Sequence, residues 1–188
     1  GAPGRHVVQN SLAVLAAAKR AGADLARAAS ALAALSPGAG RGARTVLETG
    51  AGRLAIIDES YNANPASMRA ALATLGLTPR AAFKRRIAVL GDMLELGPDG
   101  PRLHAELADA VDAAGVDVVF ACGELMRGLY EALPAARRGA YAKTSEELAP
   151  KLVEAVGPGD AIMVKGSLGS RMAPLVEALK RRFGAEAA

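Results

Sequence analysis

At 188 residues the chain suits one ordinary domain, or one domain with a piece of another. Half of its residues are hydrophobic (51%), enough for a sizeable core, but aromatics make up only 3% and Trp is absent, so packing must rest on Ala, Leu and Val. The formal charge of +4 comes from arginines spread along the chain without a basic run or interleaved aromatics, which excludes a nucleic-acid arm and fits small anionic ligands.

The single Cys122 excludes an internal disulfide and a Cys-based metal site, and fits a reducing, cytoplasmic compartment. No apolar stretch reaches the ~18 residues of a membrane span, and no signal peptide is visible. The chain opens on Gly1-Ala2-Pro3-Gly4 instead of Met, which reads as a cut into a longer protein. Residues 7–35 are Ala- and Leu-rich with helical spacing, in two runs divided near Gly22, with Asp24 placed to cap the second. Ser36-Pro37-Gly38-Ala39-Gly40-Arg41-Gly42 has linker composition and marks a boundary.

Beyond it the pattern alternates. Thr45–Thr49 and Leu54–Glu59 read as a hairpin around Gly50-Ala51-Gly52, followed by a helix over Ser67–Leu77. Strands are expected at Arg86–Leu90, Asp117–Ala121, Gly139–Lys143 and Asp160–Lys165. Helices are expected at Pro101–Ala114, Glu124–Leu133, Ser145–Val156 and Arg171–Phe183. This alternation predicts an α/β fold: a mainly parallel six-stranded sheet of Rossmann-like type with an N-terminal hairpin, helices on both faces and a short helical segment before it. Right-handed crossovers would bring three polar loops to one sheet edge, those after Ile57, Leu90 and Val164.

The first of these loops is the most telling. An apolar strand ends in Asp58-Glu59-Ser60-Tyr61-Asn62-Ala63-Asn64-Pro65. Carboxylates at a strand end can bond ribose hydroxyls, and Asn amides can orient a peptide-like ligand, at the edge where open α/β sheets bind. An Asx turn capping the next helix would account for one Asn alone. Lys165-Gly166-Ser167-Leu168-Gly169-Ser170-Arg171 joins the last strand to the last helix and suits a carboxylate or phosphate. Gly91-Asp92-Met93-Leu94-Glu95 offers two acids, read equally as metal ligands or as a helix cap. His104 reads as a surface or packing residue and Cys122 as a small buried hydrophobe. No Gly-x-x-x-x-Gly-Lys-Ser/Thr phosphate loop occurs.

In order, Gly4-Arg5-His6 with Asn10, Pro37-Gly38-Ala39-Gly40-Arg41, Asp58 to Pro65, Leu90 to Gly97 with His104, and Lys165-Gly166-Ser167 resemble the C-terminal portion of a Mur ligase. The Tyr-Asn-Ala-Asn loop and Leu-Gly-Asp-Met-Leu-Glu-Leu-Gly resemble most the branch that adds D-Ala-D-Ala to UDP-MurNAc-tripeptide. That resemblance implies three parts: 1–36 as the helical end of a central ATPase domain, 37–43 as a hinge linker and 44–188 as the C-terminal domain. It implies ATP as substrate and Mg²⁺ as its metal, the metal held mainly by upstream domains of the same chain, with the fragment inactive alone. His6, Asn10, Arg41 and one or other of Asp58 and Glu59 would serve ATP. Tyr61, Asn62, Asn64, Lys165 and Ser167 would face D-Ala-D-Ala, Lys165 taking its carboxylate. Val7 stands where the family usually has Asn, and Asp58-Glu59 where it has Asp-Asp. The rival expectations are a Mur-type ligase adding a diamino acid or glutamate, and a non-catalytic nucleotide- or peptide-binding module.

Overall fold

The structure is a computed structural model that describes residues 5–34 and 38–184, with the side chains of 5–7 outside that description. Pro37 and the His6 side chain, both expected to matter, therefore lie outside the described residues. Two helices come first, α1 (Arg5–Arg20) and α2 (Leu25–Ala33). Asp24 caps α2 as its sequence position suggests, its carboxylate accepting from Arg27 N at 3.0 Å. These helices contact each other, and no residue of α2 is buried.

The rest is a six-stranded sheet in the order β1-β2-β6-β3-β4-β5. β1 (Ala43–Thr49) and β2 (Gly52–Glu59) form the antiparallel hairpin. β2, β6 (Asp160–Lys165), β3 (Arg85–Gly91), β4 (Val118–Cys122) and β5 (Arg138–Ala142) then run parallel. Every residue of β6 is buried, as a strand covered on both faces must be. Neighbouring residues of β3 show the division: Ala88 and Leu90 join one core, Ile87 and Val89 the other. The first core is closed by α3 (Pro65–Gly76), α4 (Gly100–Ala105), α5 (Leu107–Ala113) and α6 (Met126–Ala132). The second is closed by α7 (Ser145–Ala155) and α8 (Ala173–Gly184).

The helix expected over Pro101–Ala114 is two helices that meet at Glu106, whose carbonyl accepts from Arg69 Nη2 at 2.9 Å. After β5 the chain returns across the sheet to place β6 on the far side of β3. This reversal is the topological switch point at which open α/β sheets form their crevice. The three polar loops follow β2, β6 and β3, which are consecutive in space, so the expected shared edge is present.

Candidate functional site at the carboxyl edge of the sheet

Asp58 and Glu59 close β2. The Asp58 carboxylate accepts from Ser60 N (3.1 Å) and Ser60 Oγ (2.6 Å) through Oδ1, and from Gly40 N (3.1 Å) through Oδ2. Gly42 N donates to Asp58 O at 2.7 Å, and Tyr61 N to Gly40 O at 3.1 Å. Residues 40–42 are thus stitched across the end of β2. Gly40 has φ +72°, and a Cβ there would lie 2.9 Å from Tyr61 N, so both backbone and space require glycine. The Arg41 guanidinium stacks over the Tyr61 ring, 4.2 Å from its centroid. Arg41, distant in sequence, thus joins Asp58 and Tyr61 at one corner, with Arg41 and Tyr61 exposed and Asp58 half-buried.

Lys165, at the end of β6, points under the same loop. Its Nζ donates to Asn62 O at 2.8 Å and lies 3.5 Å from Glu59 Oε2, with only 3% of its side chain exposed. Burial lowers the pKa of this ammonium, and the Glu59 charge and hydrogen bond partly restore it. Ser167 Oγ donates to Ala63 O at 3.3 Å and accepts from Leu94 N at 3.0 Å, joining all three loops. The two Asn differ in their engagement. Asn64 caps α3 in a reciprocal capping box with Ser67, its Oδ1 accepting from Ser67 N at 2.8 Å, whereas exposed Asn62 Oδ1 accepts only from Ala63 N at 2.8 Å.

Asp92, left open between metal ligand and cap, is a cap: its carboxylate accepts from Met126 N (2.7 Å) and Leu125 N (3.3 Å) at the start of α6. Among the described residues no group of three or more His, Cys, Asp and Glu could hold a metal ion. His104 is fully buried: Nε2 accepts from Met93 N at 2.8 Å, leaving Nδ1 to donate to Gly100 O at 2.6 Å. It pins the loop after β3. Cys122 is buried as expected, and desolvation pushes its thiol up to about 12. Asn10 stays exposed on α1, and among the described residues no hydrogen bond links it to the carboxyl edge.

A cavity of about 290 Å³ lies beside these loops, past the ends of β4 and β5. Its walls include Leu94 and Arg171, from two of the loops marked in the sequence, and Glu124, Lys143 and Glu146, which were not. The signal was available: Gly123-Glu124 and Lys143-Thr144 also follow strands, and the rule that singled out three strand ends applies equally to five.

A mainly parallel sheet with polar loops gathered at its switch point defines an α/β domain of the Rossmann-like class. The particular family follows from comparison. Residues 43–168 match the model of the Mur ligase, glutamate ligase domain, and the chain belongs to that family. It is 35% identical over 178 residues to the UDP-N-acetylmuramoyl-tripeptide–D-alanyl-D-alanine ligase of Escherichia coli (strain K12), covering 95% of this chain and 38% of that one. A crystal structure of MurF from Acinetobacter baumannii superposes with a TM-score of 0.79 at 28% identity, over 95% of this chain and 38% of that one. MurF from Thermotoga maritima, in complex with ADP, shares the fold with a TM-score of 0.77 at 22% identity, covering 100% of this chain and 40% of that chain. The chain thus spans under two fifths of the curated relatives it matches (35–38%). No helix among the described residues is long and apolar enough to cross a membrane.

Proposed function

We propose that this chain is the C-terminal part of an ATP-dependent amide ligase that joins D-Ala-D-Ala to UDP-MurNAc-tripeptide in the bacterial cytoplasm. On this reading residues 1–36 end a central ATPase domain, 37–43 link, and 44–188 form the C-terminal domain. ATP transfers its γ-phosphoryl group to the tripeptide carboxylate, releasing ADP. The dipeptide amine then attacks the acyl carbon, the bond to the phosphate oxygen breaks, and phosphate and a proton leave. Most of the benefit comes from holding donor and amine together. Mg²⁺ would supply charge neutralisation at the phosphates from ligands outside the described residues.

The observation that carries the reading is the bond from Lys165 Nζ to Asn62 O, which fastens two motifs 103 residues apart into one surface. That surface belongs to a chain whose relatives are named as D-Ala-D-Ala ligases. Asp58 is occupied by Ser60 and Gly40, which favours Glu59 as the acid that meets the ATP ribose. Arg41, carried at the same corner, suits the nucleotide phosphates, with Asn10 and His6 on the adenine side. Tyr61, Asn62, Asn64 and Ser167 border the dipeptide. Lys165 serves it by holding the 59–63 loop, because Glu59 and Asn62 take up its charge.

Phosphate release by the full-length protein tests this. It should require ATP, the UDP-linked tripeptide and D-Ala-D-Ala together. Preference for glutamate or a diamino acid would favour the rival ligases, and no nucleotide-dependent turnover with any amine would favour a binding module. Lys165→Ala, which releases both Asn62 and Glu59, should raise KM for D-Ala-D-Ala and for ATP together, whereas an unchanged KM for both would remove Lys165 from the site.

A further inference from the structure

We infer that Arg171 is the specificity residue for the free C-terminal carboxylate of the incoming dipeptide, which it receives in the cavity beyond β4 and β5. This rests on the ligase reading above and deepens it. The cavity's 290 Å³ is at the small end of ligand sites, which run from roughly 300 to 1,000 Å³. Leu94 and Cys122 give it an apolar wall suited to methyl groups, and Gly123 and Gly169 bring backbone close. It also holds two cations, Lys143 and Arg171, on a rim that otherwise carries acids.

Arg171 is placed there by its backbone. With φ 51° and ψ 49° it is one of two non-glycine residues at positive φ among those described. The turn sends Met172, fully buried, down beneath Gly91 and Gly166, while the Arg171 side chain remains 72% exposed at the rim. There its Nη1 lies 3.4 Å from Glu146 Oε1, whose side chain is 55% exposed. An ion pair this open contributes little to stability. Exchanging Glu146 for a ligand carboxylate therefore costs little, and the guanidinium fork gains a bidentate partner. Lys165, the cation the sequence favours, is inside and already paired. Lys143 lies on the same rim as a point charge without the fork.

The test pairs a residue change with a ligand change in the full-length enzyme: D-Ala-D-Ala against D-alanyl-D-alaninamide, with wild type, Arg171→Met, Arg171→Lys and Glu146→Gln. A lost charge-assisted contact corresponds to roughly 10–100-fold. The wild type should disfavour the amide by that factor. R171M should lose a similar factor on D-Ala-D-Ala through KM, keep its kcat/KM on the amide within about threefold, and leave KM for ATP unchanged. R171K should recover part of the loss, and E146Q should lower KM for D-Ala-D-Ala. The unchanged KM for ATP shows that R171M is folded, and E146Q gives an independent reading with Arg171 intact. Equal loss on both dipeptides, no loss on either, or a wild type indifferent to amidation overturns the Arg171 assignment while the ligase reading stands. A wild type that ligates neither dipeptide overturns both.

Discussion

Replacing His104 by Leu should destabilise the sheet domain out of proportion to the change in size. His104 has no exposed surface, and each ring nitrogen has a backbone partner, Met93 N at 2.8 Å and Gly100 O at 2.6 Å. Leucine fills much of the volume but bonds to neither. Leaving the buried Met93 N–H unpaired costs about 1–3 kcal/mol. The carbonyl of Gly100 keeps a second lone pair, so its loss is about the net value of one hydrogen bond, roughly 0.5–1.5 kcal/mol. The sum is about 2–4 kcal/mol. At roughly 2–4 °C per kcal/mol for a domain of this size, Tm should fall by roughly 4–16 °C. His104→Gln keeps an acceptor for Met93 N–H and should lose less than half as much. Thermal unfolding by circular dichroism gives all three midpoints, and hydrogen exchange should show the 91–97 loop opening first in H104L. If H104L melts within about 2 °C of the wild type, or H104Q is the worse of the two, the bridging account is refuted.

Cys122, with its thiol pushed up to about 12, carries roughly one thiolate in 10⁴ at pH 8, against about a quarter for a free cysteine. Alkylation of the native chain should therefore be at least 10³-fold slower than of the urea-unfolded chain, and comparable rates would contradict its burial. Burial pushes the Asp117 carboxyl up, but the Arg80 hydrogen bond, the Arg86 N–H and both guanidinium charges outweigh it and hold the group below its ordinary range. The stability it adds is present above its unfolded value near 4 and is lost as pH falls through the lower folded value. Asp117→Asn should thus be less stable than wild type at pH 7, by roughly 1 kcal/mol for so exposed a pair. That gap should close below about pH 4, and a gap constant to pH 2.5 would count against the linkage. Gly40→Ala must abandon φ +72° or displace Tyr61, so the Arg41–Tyr61 stack should be lost. Unchanged Tyr61 ring shifts in NMR spectra of G40A would show the stitch to be unnecessary.

The fold was legible because its strands are short apolar runs set between helical spacings, and β6 matches the expected Asp160–Lys165 at both ends. The break at Glu106 was not; the arginine that reaches its carbonyl, Arg69, comes across from α3, a contact with no local signature. The site was half legible for a related reason. Residue type and strand position reveal that a loop is polar, but not which of its groups are already used. Asn64 and Asp92 are spent on helix caps, His104 on a loop strut and Lys165 on Asn62, while Arg171, read in the sequence only as the end of the loop that Lys165 begins, lines an open cavity.

The same accounting bears on the linker. Pro37 to Gly42 reads as one flexible stretch, but its second half is not free. Gly40 and Gly42 donate to Asp58, Gly40 accepts from Tyr61, and Arg41 stacks on the Tyr61 ring. These contacts hold residues 40–42 against the end of β2. Arg41 therefore belongs to the surface of the sheet and shares a rigid corner with Asp58 and Glu59. On the proposed reading, in which Arg41 meets the nucleotide phosphates, an arginine already braced against an aromatic ring at the sheet edge has lost its ordering entropy in folding.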